Sequence, residues 1–195
     1  MEEIEIFQEF MAAEAILKGH FILSSGLHSD TYLQCARVLM DPARADRLCA
    51  ALAAKLLQKL PGMQFDLVAS PAMGGVIVGY EMARHLSLPS IFCERENGKF
   101  TFRRGFEVEK GSRVLVVEDV VTTAKSSLEA IECVQAHGGQ VMAEACLVDR
   151  GGGAANLSIP LISLLKLNVA TFKPDALPEH LKDVPAVKPG SRGLK

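Results

Sequence analysis

The chain has 195 residues, 49% of them apolar, with 21 basic and 23 acidic side chains and a formal charge of -2. That length suits one domain around a single core. The near-balanced charge offers no global field for nucleic acid or an anionic membrane, so a phosphate site has to be local. No apolar run is long enough to span a bilayer and the acidic amino terminus lacks a signal-peptide pattern, so the expected location is cytoplasmic.

In chain order, Phe7, Phe10, Met11 and Leu17 predict an amphipathic helix over 4–17. Two short strands follow, Phe21 to Leu23 and Thr31 to Gln34, around a Ser/Gly-rich loop in which His28 is either a solvated side chain or a proton donor. Asp41 and Pro42 then open a helix that carries Leu48, Leu52, Leu56 and Leu60 and stops at Pro61-Gly62. A buried strand at Leu67 to Ala69 leads through Ser70-Pro71-Ala72-Met73-Gly74-Gly75 into a helix with Val76, Tyr80, Ala83 and Leu86 on its apolar side. Two glycines at a helix mouth make either a tight turn or a cradle for an anion.

Ser90 to Cys93 reads as a third strand, and 94–105 as either a hairpin or a mobile loop. Its Arg95, Lys99, Arg103 and Arg104 form either a solvated face or a clamp for a polyphosphate. The stretch RVLVVEDVVTTAKS, Arg113 to Ser126, has the richest chemistry. Val114 to Val117 is a β-branched run suited to a strand buried on both faces, and Glu118 and Asp119 follow it. A polar turn then enters a helix with Leu128, Ile131 and Val134, closed by Gly138-Gly139. Two acids at a strand end suit sugar hydroxyls or a magnesium ion, and the Thr122–Ser126 turn suits a phosphate. In the plainer reading Thr122 or Thr123 simply caps the helix. Lys125 weighs against it, because the positive end of a helix dipole disfavours a cation unless an anion is near.

Val141 to Val148 reads as a further buried strand ending at Asp149-Arg150 and the glycines 151–153. Arg150 either clamps a carboxylate or a flat carbonyl edge in bidentate fashion, or pairs with Asp149 or a neighbour. Beyond Ile159 only short strands are expected, including one near Val169 to Phe172. Cys35, Cys49, Cys93, Cys133 and Cys146 are odd in number and form no CxxC pair, so they read as reduced core thiols.

VLVVEDVVTTAKS resembles the phosphoribosyl pyrophosphate (PRPP) motif of type I phosphoribosyltransferases, and Ser-Pro-Ala-Met-Gly resembles that family's pyrophosphate loop. The form Phe-x-Leu-x-Ser-Gly-x-x-Ser-x-x-Tyr, with Ser25, Gly26, Ser29 and Tyr32, is similar to the amino-terminal segment of its orotate phosphoribosyltransferases. The resemblance covers nearly the whole chain. It implies an α/β fold with an open, mostly parallel sheet flanked by helices, in one domain with a core at 41–153 and a small hood from 1–40 and 154–195.

Carried over residue by residue, the resemblance implies PRPP contacts from Glu118, Asp119, Thr122, Thr123, Ala124, Lys125, Ser126, Ala72, Met73, Gly74, Arg103 and Arg104. Lys99, Arg95 and Asp119 become the catalytic candidates, and Arg150, Ser25, Gly26 and Tyr32 the orotate contacts. Magnesium would be held mainly through substrate near Glu118 and Asp119, and the Ala72–Met73 peptide is a candidate cis bond. The flexible 94–105 loop would serve a neighbouring subunit's site, implying a homodimer without nucleic-acid or membrane partners. The chain departs from the family pattern at Ser24, Gly74 and Glu96, where well-known members carry lysine. Transfer to another nucleobase, or PRPP sensing without catalysis, are the alternatives.

Overall fold

The computed structural model describes residues 1–23, 26–151 and 157–189. Its centre is a six-stranded sheet built from β3 (Leu67–Pro71), β4 (Ser90–Glu96), β5 (Lys99–Phe102), β6 (Arg113–Val121), β7 (Gln140–Asp149) and β8 (Leu161–Lys166). The order is β5-β4-β3-β6-β7-β8, parallel except for the edge strand β5. β6 therefore lies near the middle. Its alternation explains why the sequence shows no polar face there: Leu115 and Val117 pack with one helical layer, Val114 and Val116 with the other.

The first layer holds α1 (Glu3–Ala12), α2 (Cys35–Leu39), α3 (Pro42–Lys59) and α4 (Gly74–Leu86), and the second holds α5 (Lys125–Ala136). α3 begins as expected: the Asp41 carboxylate accepts from the Ala43 and Arg44 N–H groups, and Pro42 occupies the first turn. α1 is shorter than predicted, because Leu17 belongs to a strand. The buried side of α4 is formed by Gly75, Val78, Gly79, Met82 and Ala83, whereas Tyr80 is exposed. Leu128 of α5 is likewise exposed. Ala83 of α4 and Ile131 and Val134 of α5 do join the core as expected, and only Tyr80 and Leu128 lie off the face that meets the sheet.

A separate antiparallel pair, β1 (Ile16–Ile22) and β2 (His28–Leu33), begins earlier in each strand than predicted. The carboxy-terminal segment staples it. Ile22 N–H donates to Val187 O and Phe172 N–H to His28 O, both at 2.8 Å. The expected strand at 169–172 is reduced to that single bridge, and the short α6 (Glu179–Lys182) was not anticipated.

His28 is neither a loop residue nor simply solvated. A carbonyl only accepts, so His20 Nδ1–H donates to Val184 O at 2.7 Å, which leaves His20 Nε2 to accept from His28 Nδ1–H at 2.5 Å. All five cysteines are buried and unpaired. No helix among the described residues is long and apolar enough to cross a membrane.

Candidate active site

The carboxyl ends of β3, β6 and β7 gather the residues singled out from the sequence, as expected for a ligand crevice in an open α/β sheet. Glu118 and Asp119 are partly buried and lie within β6, which runs on to Val121 rather than ending before them. Burial, then the Asp119 and Glu144 charges, push the Glu118 carboxyl well above its ordinary range; the Ser127 hydroxyl and Arg95 work against this. Burial raises Asp119 too, countered by the Val120 N–H, which donates to Asp119 Oδ1 at 2.9 Å. Such a pair favours cationic or hydroxyl-bearing company.

Thr122 and Thr123 are exposed in the turn after β6. Neither caps α5. The cap is Ala124, in the left-handed conformation (φ 59°) and without a side-chain hydrogen bond, so the mouth of the helix presents backbone N–H groups to solvent with Lys125 exposed at its first position. Ser126 is half-buried there. Ser127, one residue past the predicted set, donates from Oγ to Glu118 Oε2 at 3.3 Å. Its signal in the sequence was only its place, nine residues after Glu118 and in the first turn of the helix.

The second loop arrives from β3. The Ala72–Met73 peptide is cis, Met73 is exposed, and Gly74 opens α4 directly against the acids. A Cβ on Gly74 would lie 2.6 Å from Asp119 Oδ1, closer than real Cβ contacts come. Glycine at this position is thus tied to the packing of the two loops. On the other side Gly151, after β7, approaches the Thr122 carbonyl so closely that a Cβ would lie 2.6 Å from it.

Arg150 closes the crevice toward the β1-β2 pair. It is only 8% exposed; its Nη2 donates to Thr31 O at 3.1 Å and to Ser29 Oγ at 3.4 Å, while Nε has no acceptor among the described residues. Asp149 is not its partner, for Asp149 Oδ1 accepts from the Gly151 N–H. Among the described residues no carboxylate pairs with Arg150, and burial pulls its pKa down. Tyr32 stands between the two halves: burial, then Asp119, raise its pKa, and Arg150 lowers it. Gly26 is exposed at the hairpin turn in a left-handed conformation (φ 83°), and Ser24 and Ser25 lie outside the described residues, as do the glycines at 152 and 153.

The basic interval at 94–105 is a hairpin, β4-β5, with Glu96 opposite Lys99 and both turn residues, Asn97 and Gly98, at positive φ. Arg95 points back toward the crevice: it pairs with Glu129 of α5, covers the Phe100 ring at 4.2 Å, and lowers the Glu118 pKa. Arg104 grips Glu94 through two bonds of 2.9 Å, and Arg103 is 3.8 Å from Glu96. Lys99 is exposed and has no ion pair among the described residues. These last three do not touch the acid pair here. A group of possible metal ligands elsewhere, Asp46, Glu81 and His85, is occupied by Arg84, which pairs with both carboxylates.

Comparison with known proteins bears on this crevice directly. Residues 39–179 match the model of the phosphoribosyl transferase domain. The orotate phosphoribosyltransferase of Rhizorhabdus wittichii is 57% identical over 192 residues, spanning 98% of this chain and 97% of that protein. That of Maricaulis maris is 54% identical over 194 residues, with both chains fully covered. The crystal structure of orotate phosphoribosyltransferase from Aeropyrum pernix superposes with a TM-score of 0.68 at 29% identity, covering 83% of this chain and 93% of that one. With full-length relatives above half identity and a matching domain model over its core, the chain belongs to the orotate phosphoribosyltransferase family.

Proposed function

We propose that the chain transfers the phosphoribosyl group of PRPP to orotate, giving orotidine 5'-monophosphate and pyrophosphate. The observation that carries this reading is Arg150, a buried guanidinium with an unsatisfied Nε and no carboxylate partner among the described residues, at the same end of the sheet as the acid pair. A planar anionic base supplies what that side chain lacks. Glu118 and Asp119 hold the ribose hydroxyls, the N–H groups of the 122–126 turn hold the 5'-phosphate, and the loop at Ala72 to Gly74 faces the pyrophosphate. Tyr32 and Gly26 of the β1-β2 pair, joined to the carboxy-terminal segment, form a hood over the base.

Departure of pyrophosphate leaves an electron-poor sugar that the ring nitrogen of orotate attacks, so the site has to stabilise separated charge and needs no covalent nucleophile. Two adjacent carboxylates offer hard oxygen donors, a set that fits magnesium bound through PRPP. When bound, Mg2+ supplies positive charge to the diphosphate oxygens. Lys99 neutralises the leaving group from the hairpin. Arg95, Arg103 and Arg104 join it by giving up ion pairs at or near the surface, which solvent screening keeps weak.

A homodimer is supported by the outer side of α4, where Met73, Ile77 and Tyr80 form an exposed apolar stripe beside the crevice. Five unpaired buried thiols suit a reducing, cytoplasmic setting. The test is the ultraviolet loss of orotate with PRPP and magnesium, beside uracil, adenine and hypoxanthine. Consumption of orotate alone, dependent on both PRPP and metal, is expected. No consumption of any base, with PRPP still raising the melting temperature, would overturn the transferase reading in favour of a sensor.

A further inference from the structure

Arg150 is held by a buried hydroxyl as well as by a carbonyl. β2 alternates, so Ser29, Thr31 and Leu33 share its buried face, and Ser29 is 0% exposed there. The Ser29 hydroxyl is fully engaged. Its Oγ accepts from the Thr31 N–H at 3.2 Å and from Arg150 Nη2 at 3.4 Å, and its proton goes to a carbonyl, that of Ala170 at 2.9 Å or of Thr31 at 3.0 Å. Ala170 belongs to the carboxy-terminal segment, two residues before the bridge between Phe172 and His28. One side chain therefore joins β2, that segment and the arginine.

These bonds do more than satisfy Arg150. Both N–H bonds of Nη2 lie in the plane of the guanidinium. With Thr31 O at 3.1 Å and Ser29 Oγ at 3.4 Å, each of the two protons has an acceptor and the plane is fixed. With Thr31 O alone it can turn about that one bond. Nε meanwhile has no acceptor among the described residues, so a ligand of this arginine comes to a plane that is already set. Two-point recognition of a flat anion depends on that plane, whereas attraction to a point charge does not.

We propose that Ser29 is a positioning residue for orotate: its hydroxyl, anchored on the carboxy-terminal segment at Ala170, sets the plane in which Arg150 meets the base. This inference rests on the orotate reading of Arg150. It differs from a packing role because Ser29 acts through the guanidinium. Its effect on base binding therefore disappears when the guanidinium is absent, and PRPP binding is untouched.

The test compares wild type with Ser29→Ala, Ser29→Cys, Arg150→Gln and the Ser29→Ala/Arg150→Gln double variant, measuring kcat, the KM for orotate and for PRPP, and the melting temperature. Ser29→Ala raises the KM for orotate about tenfold and leaves that for PRPP within about twofold, the low end of what one hydrogen bond to a charged group carries. In the Arg150→Gln background the same change adds nothing, because the group it acts through is gone. An unchanged KM for orotate in a folded Ser29→Ala chain, equal rises in both KM values, or additive effects in the double variant would each overturn the proposal. If Ser29→Ala does not fold, Ser29→Cys decides, since a thiol keeps a donor toward Ala170 O but accepts only weakly from Arg150; an unchanged KM for orotate there overturns it. If wild type consumes no orotate, the transferase reading fails by itself, and the rise in melting temperature that orotate produces becomes the measure. No rise in wild type, or an equal rise in Ser29→Ala, then overturns the proposal.

Discussion

Replacing Glu144 by glutamine should make the protein less sensitive to rising pH. The wild-type carboxyl is displaced from 4.5 to about 7 by burial in the folded chain. Between those values the folded state holds a proton that the unfolded state has released, so wild-type stability falls as pH rises through that window. Below 4.5 both states are protonated, and above 7 both are ionised, so the full cost, about 3 kcal/mol, is present from pH 7 upward. Glutamine does not titrate. The stability difference between Glu144→Gln and wild type should therefore shift in favour of the variant by about 2.5 kcal/mol from pH 5 to pH 8, or roughly 5–10 °C in melting temperature for a chain of this size. Loss of the Glu144 charge also relaxes Glu118, which acts in the same direction. Thermal melts of both proteins across that range measure it, and parallel curves would show that Glu144 is ionised and paired, refuting the reasoning.

Three other outcomes are expected. Gly74→Ala should raise the KM for PRPP about tenfold and destabilise by about 1–3 kcal/mol, since the new Cβ would be 2.6 Å from Asp119 Oδ1; unchanged PRPP kinetics would mean that the carboxylate swings aside freely. Arg150→Gln should raise the KM for orotate about a hundredfold while leaving the melting temperature level or higher, because a buried cation without a carboxylate partner among the described residues costs folding energy. A fall in stability with unchanged orotate kinetics would make Arg150 structural. Lys99→Ala should lower turnover far more than stability, as the side chain is exposed and makes no ion pair among the described residues; equal turnover removes Lys99 from the reaction.

The hairpin at 94–105 shows where local signals ended. Its alternation and its charges left strand and loop equally open, although the Asn97-Gly98 pair, flanked by Glu96 and Lys99, carries the turn chemistry that the structure uses. The same arginines that read as a pyrophosphate clamp are held by Glu94, Glu96 and Glu129, and only Glu94 and Glu96 are local enough to suspect from the sequence. Tyr80 and Leu128 misled for another reason: helical period identifies an apolar residue but not whether its face meets the sheet or solvent. Glu144 was visible as an acid in an apolar strand, yet nothing in the linear pattern says that it faces Ser127 and Glu118 rather than water.

By itself the sequence determined the alternation of strand and helix, the cap at Asp41, the double burial of Val114 to Val117, and the two motifs whose residue types suit a phosphorylated sugar. These follow from backbone preference and side-chain period, which act over a few neighbouring residues. Tertiary structure alone decided that Gly74 abuts Asp119, that Arg150 has no carboxylate partner among the described residues, that His20 accepts a hydrogen bond from His28, and that Glu144 stands behind Glu118. Each of those depends on strand order and register in the sheets, or on how a helix or hairpin packs against them, and such long-range pairings leave no trace in local sequence.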